Sequence, residues 1–143
     1  MAKPKVMVAL REVESVEGLV TLACQVSSGM AAELIALHVV EVPEPTPLDA
    51  DVDALDHPGR EILTHAQQVA KQFSRQISTQ LLRARLAGEA IAGEAKDQGV
   101  ELVVMGHRKA HSLGEFLLGS TAQYVSRHAP CRVIIQIPAP GRA

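Results

Sequence analysis

The segments Val103-Val-Met-Gly106, Leu117-Leu-Gly119-Ser120-Thr121 and Arg127-His-Ala-Pro-Cys131-Arg-Val-Ile-Ile135-Gln-Ile137 together decide the fold. The first belongs to the run Glu101-Leu-Val-Val-Met105, apolar without alternation, as expected of a strand covered on both faces. A loop is expected from Gly106 to about Leu118. Gly119-Ser120-Thr121 opens a helix that Ala129-Pro130 ends after His128, and Cys131 to Ile137 forms a further aliphatic strand. Strand, loop, helix and strand in this succession define an α/β protein.

Upstream the same alternation continues. Lys5 to Leu10 reads as a first strand, and Val16, Leu19, Val20, Ala23 and Val26 recur at helical spacing before Ser27-Ser28-Gly29. That triplet is expected to stop the helix, with Gly29 as its left-handed terminator. Glu33 to Val40 is a second buried strand. From Glu41 to Pro58 the composition shifts: four prolines, six carboxylates and no Lys or Arg make this an acidic, Pro-rich loop. Gly59 to Phe73 resumes helical periodicity, and Gln76 to Arg85 alternates as a strand nearer an edge. Ala87 to Gln98 is a helix closed by Gly99, and Pro138 to Ala143 is a tail. The whole chain, residues 1–143, is expected to form one domain. Short connections imply right-handed crossovers and an open five-stranded parallel sheet, order 3-2-1-4-5, with helices on both faces. Ligands of such sheets bind beyond the carboxyl ends of the strands, where the strand order reverses. Here those ends are Arg11, Glu41 and Gly106.

Hydrophobic residues make up 47 % of the chain, yet only Phe73, Phe116 and Tyr124 are aromatic. The core is therefore aliphatic, and the stacking platforms of single-strand nucleic-acid binders are missing. A formal net charge of −2 supplies no field to recruit nucleic acid. No apolar run approaches the roughly 20 residues that span a bilayer, and no leader-like segment precedes Lys5, so a cytoplasmic protein without direct membrane insertion is expected. Cys24 and Cys131 sit in apolar contexts and are expected to be buried free thiols.

The helix opened by Gly119-Ser120-Thr121 offers unpaired backbone N–H groups and the positive end of its dipole, and glycine allows close approach of an anion. With the flanking strands, this segment resembles the C-terminal half of the universal stress protein family. Nucleotide-binding members carry Gly, two residues, Gly, nine residues, then Gly and Ser or Thr. Gly106, Gly119 and Ser120 match, while Lys109 replaces the second glycine. Leu37-His-Val-Val40 resembles the family's second strand. The resemblance implies a homodimer, and the fifth strand, an aliphatic strand at the sheet edge, is expected to pair through Val133, Ile135 and Ile137. It also implies a nucleotide or other anion, ATP or another adenine nucleotide foremost, held by Arg11, Val40, Met105, Gly106, Arg108, Lys109, Gly119, Ser120 and Thr121. At Arg11 the family usually has an Asp that holds the nucleoside. Arginine only donates hydrogen bonds and cannot accept one from a ribose hydroxyl or an adenine amine. Lys109 would crowd the phosphate path, yet His107, Arg108 and Lys109 form a basic run attractive to phosphate.

Other signals have blander readings. Asp49, Asp51 and Asp53 resemble a calcium loop, but Ala54 and Arg60 stand where Gly and Glu belong. His107 and His111 lack metal-ligand partners, and Ser112 and Ser120 lack a nucleophile elbow. His38 reads as a hydrogen-bonded strand-end residue. No catalytic residue and no metal site are expected. Three functions follow from the resemblance. The first is a regulatory module of the stress response acting by ligand occupancy and dimerisation. The second is a cytoplasmic domain of, or partner to, a membrane transporter, with the Glu41–Asp56 loop as contact surface. The third is a weak ATP hydrolase.

Overall fold

Val6, Met7 and Val8 have no solvent exposure, because strand β1 (Lys5–Ala9) lies at the middle of the sheet with helices on both sides. The computed structural model describes residues 3–50, 53–107 and 118–137. After β1 come α1 (Val13–Val26), β2 (Glu33–Glu41), α2 (Asp53–Gln72), β3 (Ile77–Ala84), α3 (Ala87–Gln98), β4 (Leu102–Gly106), α4 (Ser120–His128) and β5 (Arg132–Gln136). All neighbours pair in parallel, in the order β3-β2-β1-β4-β5. The chain thus leaves β1 toward one edge through β2 and β3, and returns to β1's other side as β4.

Side chains of a strand alternate between faces, and each face has its own core. Val6, Val8, Leu34, Ala36, Leu102 and Val104 pack under α1 and α2 with Val16, Val20, Ile62 and Val69. Met7, Ala9, Ile35, Leu37, Val103 and Met105 pack under α3 and α4 with Ile91, Ala95 and Val125. Both cores are aliphatic. Fully burying one such side chain is worth roughly 1.5–3 kcal/mol, so the doubly covered central strands anchor the domain.

Several helix ends differ from the sequence expectation. Helix α1 stops at Ser27, whose N–H and hydroxyl both donate to the Ala23 carbonyl, at 3.1 and 2.6 Å. With Ser28 N–H donating to the Gln25 carbonyl, the last carbonyls are satisfied locally. The left-handed residue of the turn is Ala31 (φ 52°), not Gly29, whereas Gly99 closes α3 at φ 65° as expected. Helix α2 begins at Asp53 rather than Gly59 and contains Pro58. A proline inside a helix removes a hydrogen bond to the preceding turn. Here Asp53 and Asp56 place negative charge on the positive helix end, and each also meets an arginine, Arg60 and Arg83. The Pro-rich loop is correspondingly shorter, and Arg83 on β3 and Arg85 just beyond its end hold it. Arg85 Nη1 donates to the carbonyls of Val42, Pro43 and Thr46 at 3.1, 3.2 and 2.7 Å. Arg83 Nε donates to Asp56 Oδ1 at 3.1 Å, and its Nη groups reach Asp56 Oδ2, Leu48 O and Ala50 O. Cys24 is a buried free thiol, but Cys131, at the start of the edge strand, is only half-buried. Burial raises the pKa of both thiols, offset in part by the charge of Arg75 near Cys24 and by a backbone hydrogen bond of Val103 at Cys131.

His38 is 9 % exposed, and its Nδ1 donates to the Leu10 carbonyl at 2.8 Å, tying the end of β2 to that of β1. Its ring lies against α2 at Gly59, where a Cβ would meet His38 Cδ2 at 2.5 Å and Leu81 Cδ1 at 3.0 Å. Gly59→Ala is therefore expected to destabilise the fold by about 1–3 kcal/mol despite alanine's better helix propensity. Gly29→Ala, where a Cβ meets nothing within 4 Å, should stay within about 0.5 kcal/mol. Urea unfolding of both variants checks the pair.

The hydrogen bond from Arg83 holds the Asp56 carboxyl below the usual carboxylate range, helped by the charges of Arg83 and Arg60 against partial desolvation. A carboxylate with a depressed folded pKa stabilises the fold above its unfolded pKa of about 3.9, and that contribution is lost as pH falls through the lower folded value. Asp56→Asn should therefore be less stable than the parent at neutral pH, with the gap closing below about pH 4. Thermal unfolding from pH 7 to pH 2.5 reads this out, and a gap independent of pH would contradict it.

Candidate ligand-binding site

Because β2 leaves β1 on one side and β4 joins it on the other, the carboxyl ends of β1 and β4 are not bridged by one connection. A cleft opens above them. Its cavity volume is about 110 Å³, below the roughly 300–1,000 Å³ of pockets that enclose a drug-sized ligand, and it opens to solvent. The floor is apolar: Ala9, Leu37, Val39 and Met105 from the strands, Leu10 just after β1, Leu19 from α1 and Ile91 from α3. Polar groups stand around the rim: Arg11, Glu12 and Ser15 where α1 starts, Glu41 at the end of β2, His107 after β4, and Ser120 and Thr121 on α4.

Three helices start at this cleft, and the starts of α3 and α4 are satisfied differently. At α3 the first N–H, that of Ala87, donates to Glu41 Oε2 at 2.9 Å, so a carboxylate of the chain itself sits at the positive end. At α4 the cap is Gly119, in extended conformation (φ −61°, ψ 159°), with no side chain bonded to the helix start. The first intrahelical bond there runs from Gln123 N–H to the Gly119 carbonyl at 2.9 Å, which leaves the N–H groups of Ser120, Thr121 and Ala122 without intrahelical acceptors. Those donors, the helix dipole and two hydroxyls face the cleft together, and an anionic group is the chemistry such an arrangement accommodates. Packing fixes where α4 starts: a Cβ on Gly88 of α3 would come within 2.9 Å of Tyr124 Cβ, so the two helices touch through that glycine.

Of the residues expected at the site, Arg11, Met105, Gly106, Gly119, Ser120 and Thr121 all line the cleft. Val40 does not. It is buried, 5 % exposed, and its neighbour Val39 takes the cleft position, because alternate residues of β2 face opposite layers. Arg108 and Lys109 lie outside the described residues, as do Asp51, His111, Ser112 and Phe116. Gly106 is not in the left-handed region, and a Cβ there would make ordinary contact, 3.6 Å from Leu19 Cδ1. The sequence reading assigned no ligand role to Glu12, Ser15, Glu41 or Ala87. Glu41 was visible as a strand end, but that its carboxylate would reach α3 depends on how α3 is placed. Asp53 belongs to α2 and pairs with Arg60, and among the described residues no group of three or more His, Cys, Asp or Glu is placed to hold a metal ion. Among these residues, too, no helix is long and apolar enough to cross a membrane.

An open parallel sheet with an anion-ready cleft at its switch point defines a nucleotide-fold α/β protein of the kind that binds small ligands. A family model described as the universal stress protein family matches residues 4–136, and the chain belongs to that family. Universal stress protein A homolog 2 of Coxiella burnetii is 30 % identical over 135 residues, covering 91 % of this chain and 92 % of the relative. Among solved structures, a universal stress protein in complex with cAMP superposes with a TM-score of 0.75 at 24 % identity, covering 95 % of this chain and 98 % of the other. The universal stress protein of Archaeoglobus fulgidus in complex with dAMP gives 0.73 at 18 % identity, covering 94 % and 97 %.

Proposed function

We propose that this chain is a regulatory module that binds an adenine nucleotide in the cleft above β1 and β4, and that it acts through occupancy and dimerisation rather than turnover. The observation that carries this reading is the start of α4. Ser120, Thr121 and Ala122 present backbone donors without intrahelical acceptors directly beside an apolar floor that suits a base. Two structurally similar family members are described as complexes with cAMP and dAMP, which supports an adenine nucleotide as the ligand class. Gly119, Ser120 and Thr121 would take the phosphate. Ala9, Val39, Met105 and Ile91 would enclose the base. The site of action is the cytoplasm, where the two free thiols stay reduced.

Ser120→Asp separates binding from folding. A carboxylate in the first turn of α4 complements the dipole and should leave stability unchanged or raise it by about 0.3–1 kcal/mol. The same charge opposes a phosphate, so calorimetric titration with AMP and ATP should show affinity falling at least about tenfold. Unaltered binding would refute the assignment of the phosphate to this helix start.

Dimerisation would use β5, an edge strand whose outer backbone groups are open to pairing. Val133 and Ile135 are half-buried against the core under α4, whereas Ile137 is 54 % exposed. Ile137→Lys is therefore the informative variant, and sedimentation should show it shifted toward monomer with its melting midpoint retained. A dimer unaffected by the change would exclude this edge as the contact.

A further inference from the structure

We infer that Glu41 is a ligand-reading residue of the cleft, supplying the hydrogen-bond acceptor for the nucleoside that Arg11 cannot supply. The inference rests on the nucleotide reading above and concerns its selectivity. Arg11, where α1 approaches the cleft, has donors only. A nucleoside carries its own donors in the ribose hydroxyls and, for adenine, the exocyclic amine. Without an acceptor at the rim these groups would find only water.

Glu41 is placed to meet them. It ends β2, lines the cleft, and is oriented by the 2.9 Å bond that Oε2 accepts from Ala87 N–H. An ionised carboxylate has about four lone-pair sites, so capping α3 leaves acceptor capacity on the same group. The backbone around it is held as well. Val42 N–H donates to the Ala84 carbonyl at 2.8 Å, and Arg85 binds the carbonyls that follow. Arg85 is thereby engaged by backbone oxygens of the loop. The other rim carboxylate is Glu12, at the cap of α1, where no side-chain bond to the helix start fixes it. The two glutamates therefore differ in preorganisation, and Glu41 is the one aimed by a helix.

The same carboxylate sets a charge rule. Comparing two of the helix starts at the cleft, that of α3 already holds a carboxylate and that of α4 does not. The cleft thus favours a ligand with its anionic group at α4 and a neutral, donor-bearing group at Glu41. A second anion near the end of β2 would face like charge.

Glu41→Gln tests this, since the amide oxygen can still accept from Ala87 N–H while the amide nitrogen presents donors to the ligand. Calorimetry on the full chain would compare AMP, IMP (which lacks the amine) and 2′-deoxy-AMP for the parent, Glu41→Gln, and Glu12→Gln as control. Expected are a loss of about five- to tenfold for AMP in Glu41→Gln, an unchanged melting midpoint, and near-parent affinity in Glu12→Gln. In the parent, weaker IMP binding would assign the contact to the amine, and weaker 2′-deoxy-AMP binding to the ribose. Equal AMP affinity of parent and Glu41→Gln, or a loss found only in Glu12→Gln, would overturn the inference and leave the nucleotide reading standing. A parent that binds none of the three ligands would overturn both. Glu41→Ala, which removes the cap, should lower the melting midpoint as well, which distinguishes the structural from the ligand-reading part of the side chain.

Discussion

The parallel pairing of β1 with β4, Val6 to Leu102 through Ala9 to Met105, is the constraint on which the rest depends. Both strands are buried on both faces, so their side chains join the two cores into one body. Their backbones are satisfied by each other and by β2 and β5. Since the chain departs from β1 toward β2 and comes back on the opposite side, the space above their carboxyl ends is spanned by no single connection. The cleft follows from that geometry. A site in this position needs no dedicated scaffold: the floor is the top layer of the core, and the walls are the starts of helices that have to lie there to cover the sheet.

Electrostatics at the rim then decide what the cleft suits. Helix starts facing a common space would repel one another's positive ends unless charge were supplied. At α3 the chain supplies it through Glu41, and at α4 no side chain is bonded to the helix start. Placement of α4 depends in turn on Gly88, which lets Tyr124 approach α3 closely, and so the open donors are held by a packing contact just outside the cleft. Preorganisation of this kind lowers what a ligand must spend on ordering the site. At the opposite layer His38 and Gly59 play a comparable part. The imidazole ties the end of β2 to Leu10, beside the floor of the cleft, and α2 accommodates the ring only because residue 59 has no side chain. Arginines 83 and 85 complete the support by holding the Pro-rich loop against the edge strand through its carbonyls.

Sequence by itself determined the strand and helix alternation, the strand order and the family. Each of these rests on local signals: unbroken aliphatic runs such as Leu102–Met105, periodicity in Val16–Val26, terminators such as Gly99, and the spacing from Gly106 through Gly119 to Ser120. Helix boundaries were less legible, because Pro58 and the surrounding acids look like a loop until Arg83 is brought to Asp56 from β3. The choice of Val39 over Val40 turned on one step of strand register, which two adjacent valines cannot disclose. What only the tertiary structure decided is the capture of the α3 start by Glu41, 46 residues away along the chain. A carboxylate's role depends on which dipole it faces. No local pattern encodes a contact between the end of one strand and the start of a helix that two further elements must first put in place.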